Sequence, residues 1–296
     1  MDTTASLQHK IASAGSLQSV VRTMKAVAAS SIGDYERAVA ALADYYQTVE
    51  RGLSVSFRQA GLYPVKRSSS TTQQAPCIIL FGTDQGLVGQ FNDRIAEFAK
   101  TSLTSTVSIA NSRPAKPPLI WVVGERLNER LTDAGIRSQA HFDVPNSVKS
   151  ITPLIGEILL NIETQQPLSA QSDVKLFYNR PTGGSVYAPV TQRLLPLNQQ
   201  WCEELANRAW PTTNVPELLG DNTRTLGAFI REYLFVSLFR ASAESLSSEN
   251  ASRLAAMQRA DKNIGELLTE LQRNYHRLRQ AGIDAEMFDV IAGSGV

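Results

Sequence analysis

Residues 77 to 92, CIILFGTDQGLVGQFN, place five apolar residues directly before a stretch with three glycines. The short apolar run predicts a buried strand, and a glycine-rich turn between a strand and a helix is where α/β proteins often hold phosphates. The spacing, however, is G-x-x-x-G-x-x-G, which fits no dinucleotide site, and Gln90 and Phe91 follow instead of the Lys-Ser/Thr pair of a phosphate loop. We therefore interpret the glycines as allowing a tight turn and close packing, and expect no cofactor here.

The rest of the middle of the chain repeats this strand and helix alternation. Two more short apolar runs, at 119–123 (LIWVV) and 174–178 (VKLFY), predict strands. Helical patterns lie between the runs, at 91–103, 125–134 and 148–162. Strands that alternate with helices predict a mostly parallel sheet covered by helices, a Rossmann-like α/β domain.

Proline divides the chain, because all 13 prolines lie between Pro64 and Pro216. Proline breaks helices, so the proline-free ends predict two long helices. Each end carries one apolar stripe with steps of three and four. The stripes are Leu7, Ile11, Ala14, Leu17, Val21, Met24, Ala28, Tyr35, Leu42, Val49 and Leu53, and Leu226, Ile230, Leu234, Leu238, Ala241, Ile264, Leu267, Leu271, Tyr275 and Leu278.

Each stripe must be buried, and the simplest partner of one long helix is the other. A compact insert returns the chain near the point where it left, so the helices should run antiparallel. The predicted fold class is α/β, with a long antiparallel coiled coil of terminal helices around an inserted domain. We expect a first helix in 1–63, the α/β domain in 75–200 and a last helix in 217–296. Residues 68–74 should be a polar linker, and 201–220 the return connection.

The composition excludes several classes of function. A net charge of +1 gives no general attraction to nucleic acid or to an anionic membrane. Cys77 and Cys202 have no metal-ligand spacing and are too few for a disulfide framework. No run approaches the length of a membrane span, and the polar start lacks a signal peptide's apolar region. We expect a cytoplasmic protein that could still dock on a membrane complex.

No catalytic or metal site is evident in the residues themselves. His9, His141 and His276 are scattered and lack neighbouring ligands at metal-binding spacing. The serine-hydrolase and zinc-protease motifs G-x-S-x-G and H-E-x-x-H are both missing. We expect no catalysis by this chain alone.

Residues 241 to 256, ASAESLSSENASRLAA, are unusual because ten of the sixteen are Ala or Ser. A core helix normally needs larger side chains to fill volume. Small residues favour either close packing against a neighbouring helix or a smooth surface against a surrounding partner. The last helix also carries basic residues that would form one face. This face is either solvated or meets acidic loops of a partner. The residues are Arg253, Arg259, Lys262, Arg273, Arg277 and Arg279.

Three stretches of the chain resemble the gamma subunit of F-type ATP synthases. Residues 245–296 resemble its S-E-x-x-A-R-M-x-A-M and N-x-x-R-Q-x-x-I patterns, and KIAS (10–13) and TMKAVAAS (23–30) resemble its first helix. GTDQGLVGQFN resembles its S-D-x-G-L-C-G-x-x-N loop. The matching residues are Ser248, Glu249, Arg253, Ala256, Met257, Asn263, Tyr275, Arg279, Gln280 and Ile283, and, in the loop, Asp84, Gly86, Leu87, Gly89 and Asn92.

The resemblance implies a function that the residues alone do not. The two helices would be the central rotor shaft inside a ring of alpha and beta subunits, and the α/β domain would be a foot contacting the epsilon subunit and the c-ring. Rotation of the c-ring would turn the shaft, which would favour different nucleotide states of each beta subunit in turn. ATP chemistry would then belong mainly to beta, with this chain held peripherally at the cytoplasmic face of a bacterial plasma membrane.

By the same resemblance, beta-subunit loops would contact Glu249, Arg253, Arg279 and Gln280. Met24 and Lys25 would lie on the opposing helix near the same level. Asp284 stands where threonine or lysine is more usual, and Val88 replaces the loop's cysteine. SIGDY at 31–35 stands in place of K-L-R. These departures suggest a divergent branch, and the hypothesis is a second F-type operon with its own coupling ion. Full coupled synthesis after exchange into a proton-driven enzyme would contradict that hypothesis.

Two other functions fit the pattern of elements. One is an α/β binding domain or enzyme that dimerises through a helical hairpin, which predicts a small-molecule pocket. The other is an inert coiled-coil scaffold, which the residues alone would favour.

Overall fold

A computed structural model describes residues 3–60, 75–109, 117–165, 172–183, 186–214, 216–218 and 220–293. The expected linker at 68–74 lies outside these residues. The elements are α1 (Thr4–Ala60), β1 (Cys77–Phe81), α2 (Phe91–Ile109), β2 (Leu119–Val123), α3 (Glu125–Asp133), β3 (Ala140–Phe142), α4 (Val148–Gln165), β4 (Val174–Gly183), β5 (Val186–Leu195), α5 (Gln199–Asn207) and α6 (Asn222–Gly293).

Two compact units make up the chain, and both long helices contribute to each. One unit combines Met1–Ser30 with Arg253–Val296, and the other is Ser31–Ser252. The prediction of long terminal helices is confirmed, since α1 has 57 residues and α6 has 72.

The larger unit contains a five-stranded sheet in the order β3-β2-β1-β4-β5. The strands β3, β2, β1 and β4 are parallel and β5 is antiparallel to β4, so the prediction of a mostly parallel sheet is confirmed. β1 and β2 have the predicted bounds. The sequence analysis did not predict β3 and β5. β3 has only three residues, and β5 is an edge strand that contains Pro189, a residue that weakens the signal of a strand.

Each strand sends alternate side chains to opposite faces of the sheet. Ile78 and Leu80 of β1 pack with α2 and α3 on one face. Cys77, Ile79 and Phe81 face the other side, where α4, α5 and segments of both long helices complete the larger core. The sheet is therefore covered on both faces, which explains why its central strands are apolar throughout.

The expected return connection at 201–220 contains most of a helix, so describing it only as a connection was wrong. α5 begins after Asn198, whose side chain caps it by accepting a hydrogen bond from the Gln200 N–H at 2.9 Å. Its carboxyl end is bound to α1, because Ser54 Oγ donates to the Leu205 carbonyl at 2.7 Å and Arg58 Nε to the Ala206 carbonyl at 2.6 Å.

In the smaller unit, the segments of α1 and α6 pack side by side and antiparallel. Gln8 Nε2 donates to the Tyr275 hydroxyl at 3.1 Å, and Gln18 Nε2 donates to Asp261 Oδ1 at 3.1 Å. The partner's number falls as the α1 number rises, as antiparallel pairing requires. The buried residues Leu7, Ala14, Val21 and Ala28 recur every seven positions, which is the coiled-coil period.

The predicted stripes were wrong at two leucines. Leu17 is 55% exposed and Leu267 is 47% exposed. The seam passes instead through the neighbouring residues Gln18 and Leu268, which are half-buried. At Leu17 the physical reason is that the polar residue Gln18 occupies the seam, where it meets Asp261. At Leu267 the next residue is also a leucine, so the apolar pattern fits either position.

Candidate functional site

The glycine loop, residues 82–90, is held by hydrogen bonds within the domain. Asn92 at the start of α2 is buried, and its Oδ1 accepts from the Thr83 N–H at 3.2 Å while its Nδ2 donates to Thr83 Oγ1 at 2.9 Å. Leu87 and Gly89 have φ values of 62° and 59°, in the left-handed region that glycine adopts most easily. The glycine loop is thus a folded turn that connects β1 to α2.

The carboxylate of Asp84, in the glycine loop, is bound by backbone N–H groups elsewhere in the same domain. Asp84 Oδ1 accepts from the Glu125 N–H at 2.9 Å, at the start of α3, and Oδ2 accepts from the Val144 N–H at 2.8 Å. Anions bind helix N-termini because free N–H groups and the helix dipole favour negative charge there. Since the chain supplies this anion itself, the geometry supports our interpretation of the loop as structural.

Close packing explains two of the glycines near this edge of the sheet. A Cβ atom on Gly82 would overlap the side chain of Leu127 in α3. Gly124, between β2 and α3, has φ +110°, and a Cβ atom there would lie 2.7 Å from the Thr83 nitrogen. At these positions glycine lets the ends of β1 and β2 and the start of α3 approach each other.

The glycine loop also packs against α6. Ser252 Oγ donates to the Val88 carbonyl at 2.6 Å, and Val88 is 3% exposed. Every residue from Ala241 to Ser252 is buried within the larger unit. Of the two interpretations of this small-residue stretch, close packing within the chain therefore holds for 241–252.

A polar cluster lies in the seam of the two-helix unit. Asp261 of α6 accepts from Gln18 Nε2 and Arg22 Nε at 3.1 Å each and from Lys25 Nζ at 3.3 Å. Burial acts to raise the pKa of Asp261, but the hydrogen bonds from Lys25, Arg22 and Gln18 outweigh it, so the pKa is lowered. The sequence analysis missed Asp261. The sequence did contain a signal for a polar cluster. Gln18 and Lys25 lie four residues after Ala14 and Val21, so these polar residues are on the same face of α1 as the buried ones.

The six predicted partner contacts occupy different environments. Met24 and Lys25 are half-buried, and Lys25 is bound to Asp261. Glu249 is only 5% exposed, whereas Arg253 is half-buried.

The other two predicted contacts, Arg279 and Gln280, are exposed on α6. Gln280 Nε2 donates to Asp284 Oδ1 at 2.9 Å, so the unusual Asp284 has a partner on its own helix. Arg253 and Gln280 are separated by roughly 40 Å of helix, at about 1.5 Å per residue. The six residues therefore do not form one cluster.

Exposed large hydrophobic side chains are concentrated in the two-helix unit. Nine of the thirteen such residues in the described part of the chain belong to it, and they reach 70% exposure at Val290. Concentrated apolar exposure marks a surface that a partner covers. The nine are Leu17, Val20, Val27, Leu267, Ile283, Met287, Phe288, Val290 and Ile291.

The described residues contain no group of His, Cys, Asp or Glu that could hold a metal ion. His141 instead lies 3.3 Å from Glu125, as a pair at the surface. Within the same residues, no helix has the length and apolar character of a membrane span.

Comparison with known proteins identifies the family. The family model described as ATP synthase matches residues 3–295. The chain belongs to the ATP synthase gamma-chain family. Among curated relatives, the gamma chain of Rhizobium etli is 26% identical, and that of Glaesserella parasuis 25% identical, with 97% of each chain covered in both cases.

Chains in solved structures of mitochondrial ATP synthases share the fold. A chain from the central stalk and c-ring structure of the Tetrahymena thermophila mitochondrial ATP synthase is 22% identical with a TM-score of 0.56, covering 81% of this chain and 99% of that one. A chain from the Euglena gracilis mitochondrial ATP synthase is 15% identical with a TM-score of 0.57, covering 99% and 96%. The predicted architecture, terminal helices around an α/β domain, is thus shared with chains of these ATP synthase structures.

Proposed function

We propose that this gamma chain is the central rotor of an F-type ATP synthase. It would couple ion-driven rotation of the c-ring to ATP synthesis or hydrolysis in an alpha and beta head. The observation that carries the proposal, together with the family, is the concentration of exposed apolar side chains on the two-helix unit. A helix pair with apolar residues both in its seam and outside it fits a surrounding partner, as a shaft inside a ring requires.

We further propose a division of labour among three segments. Residues 1–63 and 217–296 would form the shaft, and residues 75–200 the foot that contacts the epsilon subunit and the c-ring. The chain would have no catalytic site of its own and would reach the cytoplasmic face of the plasma membrane only through the complex. The glycine loop supports this over a ligand-binding function, because its Asp84 carboxylate is bound to backbone N–H groups of its own domain.

The six residues inferred from family resemblance are proposed contacts of the beta subunit. Exposure favours Arg279 and Gln280 most directly. Met24 and Arg253 have partly exposed side chains, and Lys25 keeps 38% of its side chain exposed beside Asp261. Glu249 would need its own chain to uncover it before it could meet a partner.

Affinity purification of the tagged chain from gently solubilised membranes tests the rotor function. We expect alpha, beta, epsilon and c subunits to co-purify with ATPase activity. Recovery of the chain alone, or of a homodimer with a bound small molecule, would refute the proposal.

Two variants test which surface of the chain binds the alpha and beta subunits. Replacing Phe288 and Ile291 with glutamine removes exposed apolar side chains from the two-helix unit. Leu160→Gln removes one of similar exposure, 57% against 65% for Phe288, from α4 in the larger unit. We expect the first variant to lower recovery of alpha and beta, and the second to leave it unchanged. Equal recovery with both would refute the assignment of the apolar surface.

A further inference from the structure

One carboxylate in the larger unit is shared by two arginines. Glu244 of α6 has a side chain that is 8% exposed. Its Oε2 accepts from Arg180 Nε of β4 at 3.1 Å, and its Oε1 accepts from Arg240 Nε, one turn earlier on α6, at 2.7 Å. Two positive charges therefore meet one negative charge, and the cluster keeps a net charge of +1.

The position of Arg180 is fixed by a second partner. Its Nε donates to the Tyr178 hydroxyl at 3.1 Å, its Nη2 also donates to that hydroxyl, and the guanidinium lies 5.3 Å from the centre of the Tyr178 ring. Burial, followed by the charge of Glu244, raises the pKa of Tyr178 to about 12, so the hydroxyl stays neutral at physiological pH. An arginine held on two sides loses less conformational entropy when it binds another group.

Both arginines still face solvent with unused donors. The side chains are 43% and 54% exposed for Arg180 and Arg240. Arg180 Nη1 and both Nη groups of Arg240 have no hydrogen-bond partner among the described residues. Guanidinium groups present these N–H donors as a planar fork that matches a carboxylate.

We propose that Arg180 and Arg240 form a docking surface for an acidic segment, rich in Asp or Glu, of a neighbouring subunit. This inference rests on the proposed function, since it requires the chain to work inside an assembly. A protein carboxylate fits better than nucleic acid, because two arginines around one carboxylate offer a local excess of a single charge, whereas a nucleic-acid site needs an extended basic surface. The two forks would receive carboxylates while Glu244 holds them in place.

Arginine footprinting with phenylglyoxal tests the proposal on unaltered protein. Arg231 of α6 is the control, since it is 54% exposed like Arg240 but has its own one-to-one partner in Glu163 at 3.1 Å. We expect modification of Arg180 and Arg240 to be about tenfold slower in the purified complex than in the isolated chain, because the reagent must wait for the contact to open. Arg231 should change little.

Each outcome of this experiment decides something different. Equal modification of Arg180 and Arg240 in the intact complex and in the isolated chain would overturn the docking surface and leave the rotor function standing. If no complex can be isolated, the proposed function fails and this inference fails with it. If inorganic phosphate added to the isolated chain protects both arginines as strongly as the complex does, the site binds free anions, which also overturns the proposal.

A cross-linking variant identifies the partner. Arg240→Lys keeps the positive charge and gives a primary amine, which a carbodiimide couples directly to a carboxylate in contact with it. We expect a cross-link between residue 240 and an Asp or Glu of another subunit, and none from Arg231→Lys to that segment. A cross-link only to Glu244 of the same chain would overturn the proposal.

Discussion

Replacing Asp84 with alanine tests whether one carboxylate stabilises the carboxyl edge of the sheet. The change removes the acceptors of two backbone N–H groups, those of Glu125 and Val144. Hydrogen bonds to a charged group contribute about 1.5 kcal/mol each at the lower end of measured values, so the two together give about 3 kcal/mol. For a unit of about 150–250 residues, that loss lowers Tm by roughly 6–12 °C.

Asp84→Asn is the matched control, because it keeps the shape of the side chain but has only one acceptor oxygen. It can therefore satisfy only one of the two N–H groups, and we expect about half of the loss, roughly 1.5 kcal/mol. Urea unfolding followed by circular dichroism, together with thermal unfolding of the purified chain, measures both variants on the same scale.

The order of stability, wild type above Asp84→Asn above Asp84→Ala, is the critical result. Two equally stable variants would mean that the charge, not the pair of acceptors, stabilises this edge. Two variants as stable as wild type would refute the claim that Asp84 stabilises this edge of the sheet. Inorganic phosphate should leave the Tm of wild type unchanged, since Asp84 already occupies the start of α3.

Three further predictions concern the glycines, the seam and the thiols. Gly124→Ala should destabilise the chain by about 2 kcal/mol or more, because φ is +110° and the position of the new Cβ atom is already occupied by backbone atoms. Gly135→Ala, with φ +81° and open space around it, should destabilise the chain less. Urea unfolding measures both variants. Because the pKa of Asp261 is lowered in the folded chain, its stabilisation is present above about pH 4 and is lost as the pH falls through the folded value. Asp261→Asn should therefore show a shallower fall of Tm with acid than wild type. Burial raises the pKa of Cys77 to about 12 and of Cys202 to about 11. Both thiols should therefore react with a thiol reagent at pH 8 only after denaturation. Reaction in the native state would contradict their burial.

The sequence predicted those elements whose pattern comes from burial alone. β1 and β2 were predicted to the residue because every strand position is apolar or nearly so. β5 was missed because it is an edge strand with exposed residues and Pro189, so its pairing depends on β4 and not on its own pattern. The short β3 has only Phe142 buried, too little to distinguish it from a loop.

The seam of the two-helix unit shows where periodicity fails for a different reason. Leu17 and Leu267 fit the apolar template but face outward, while Gln18 and Asp261 occupy the seam and bind each other. Apolar patterning assumes that polar residues point to solvent. A half-buried polar pair in the seam reverses that assumption and, as in other coiled coils, can specify the register of the two helices.

The role of the glycine loop is likewise determined by its tertiary contacts and not by its local sequence pattern. A glycine turn between a strand and a helix could hold a phosphate, but here Asp84 of the turn is bound within the chain, to the N–H groups of Glu125 at the start of α3 and of Val144. The turn is then free to present the Val88 carbonyl to Ser252 of α6. An edge that holds a ligand in many α/β proteins has become a support for a long helix. Asp84 and Val88 therefore tie this turn to the start of α3 and to α6 through groups of the chain itself.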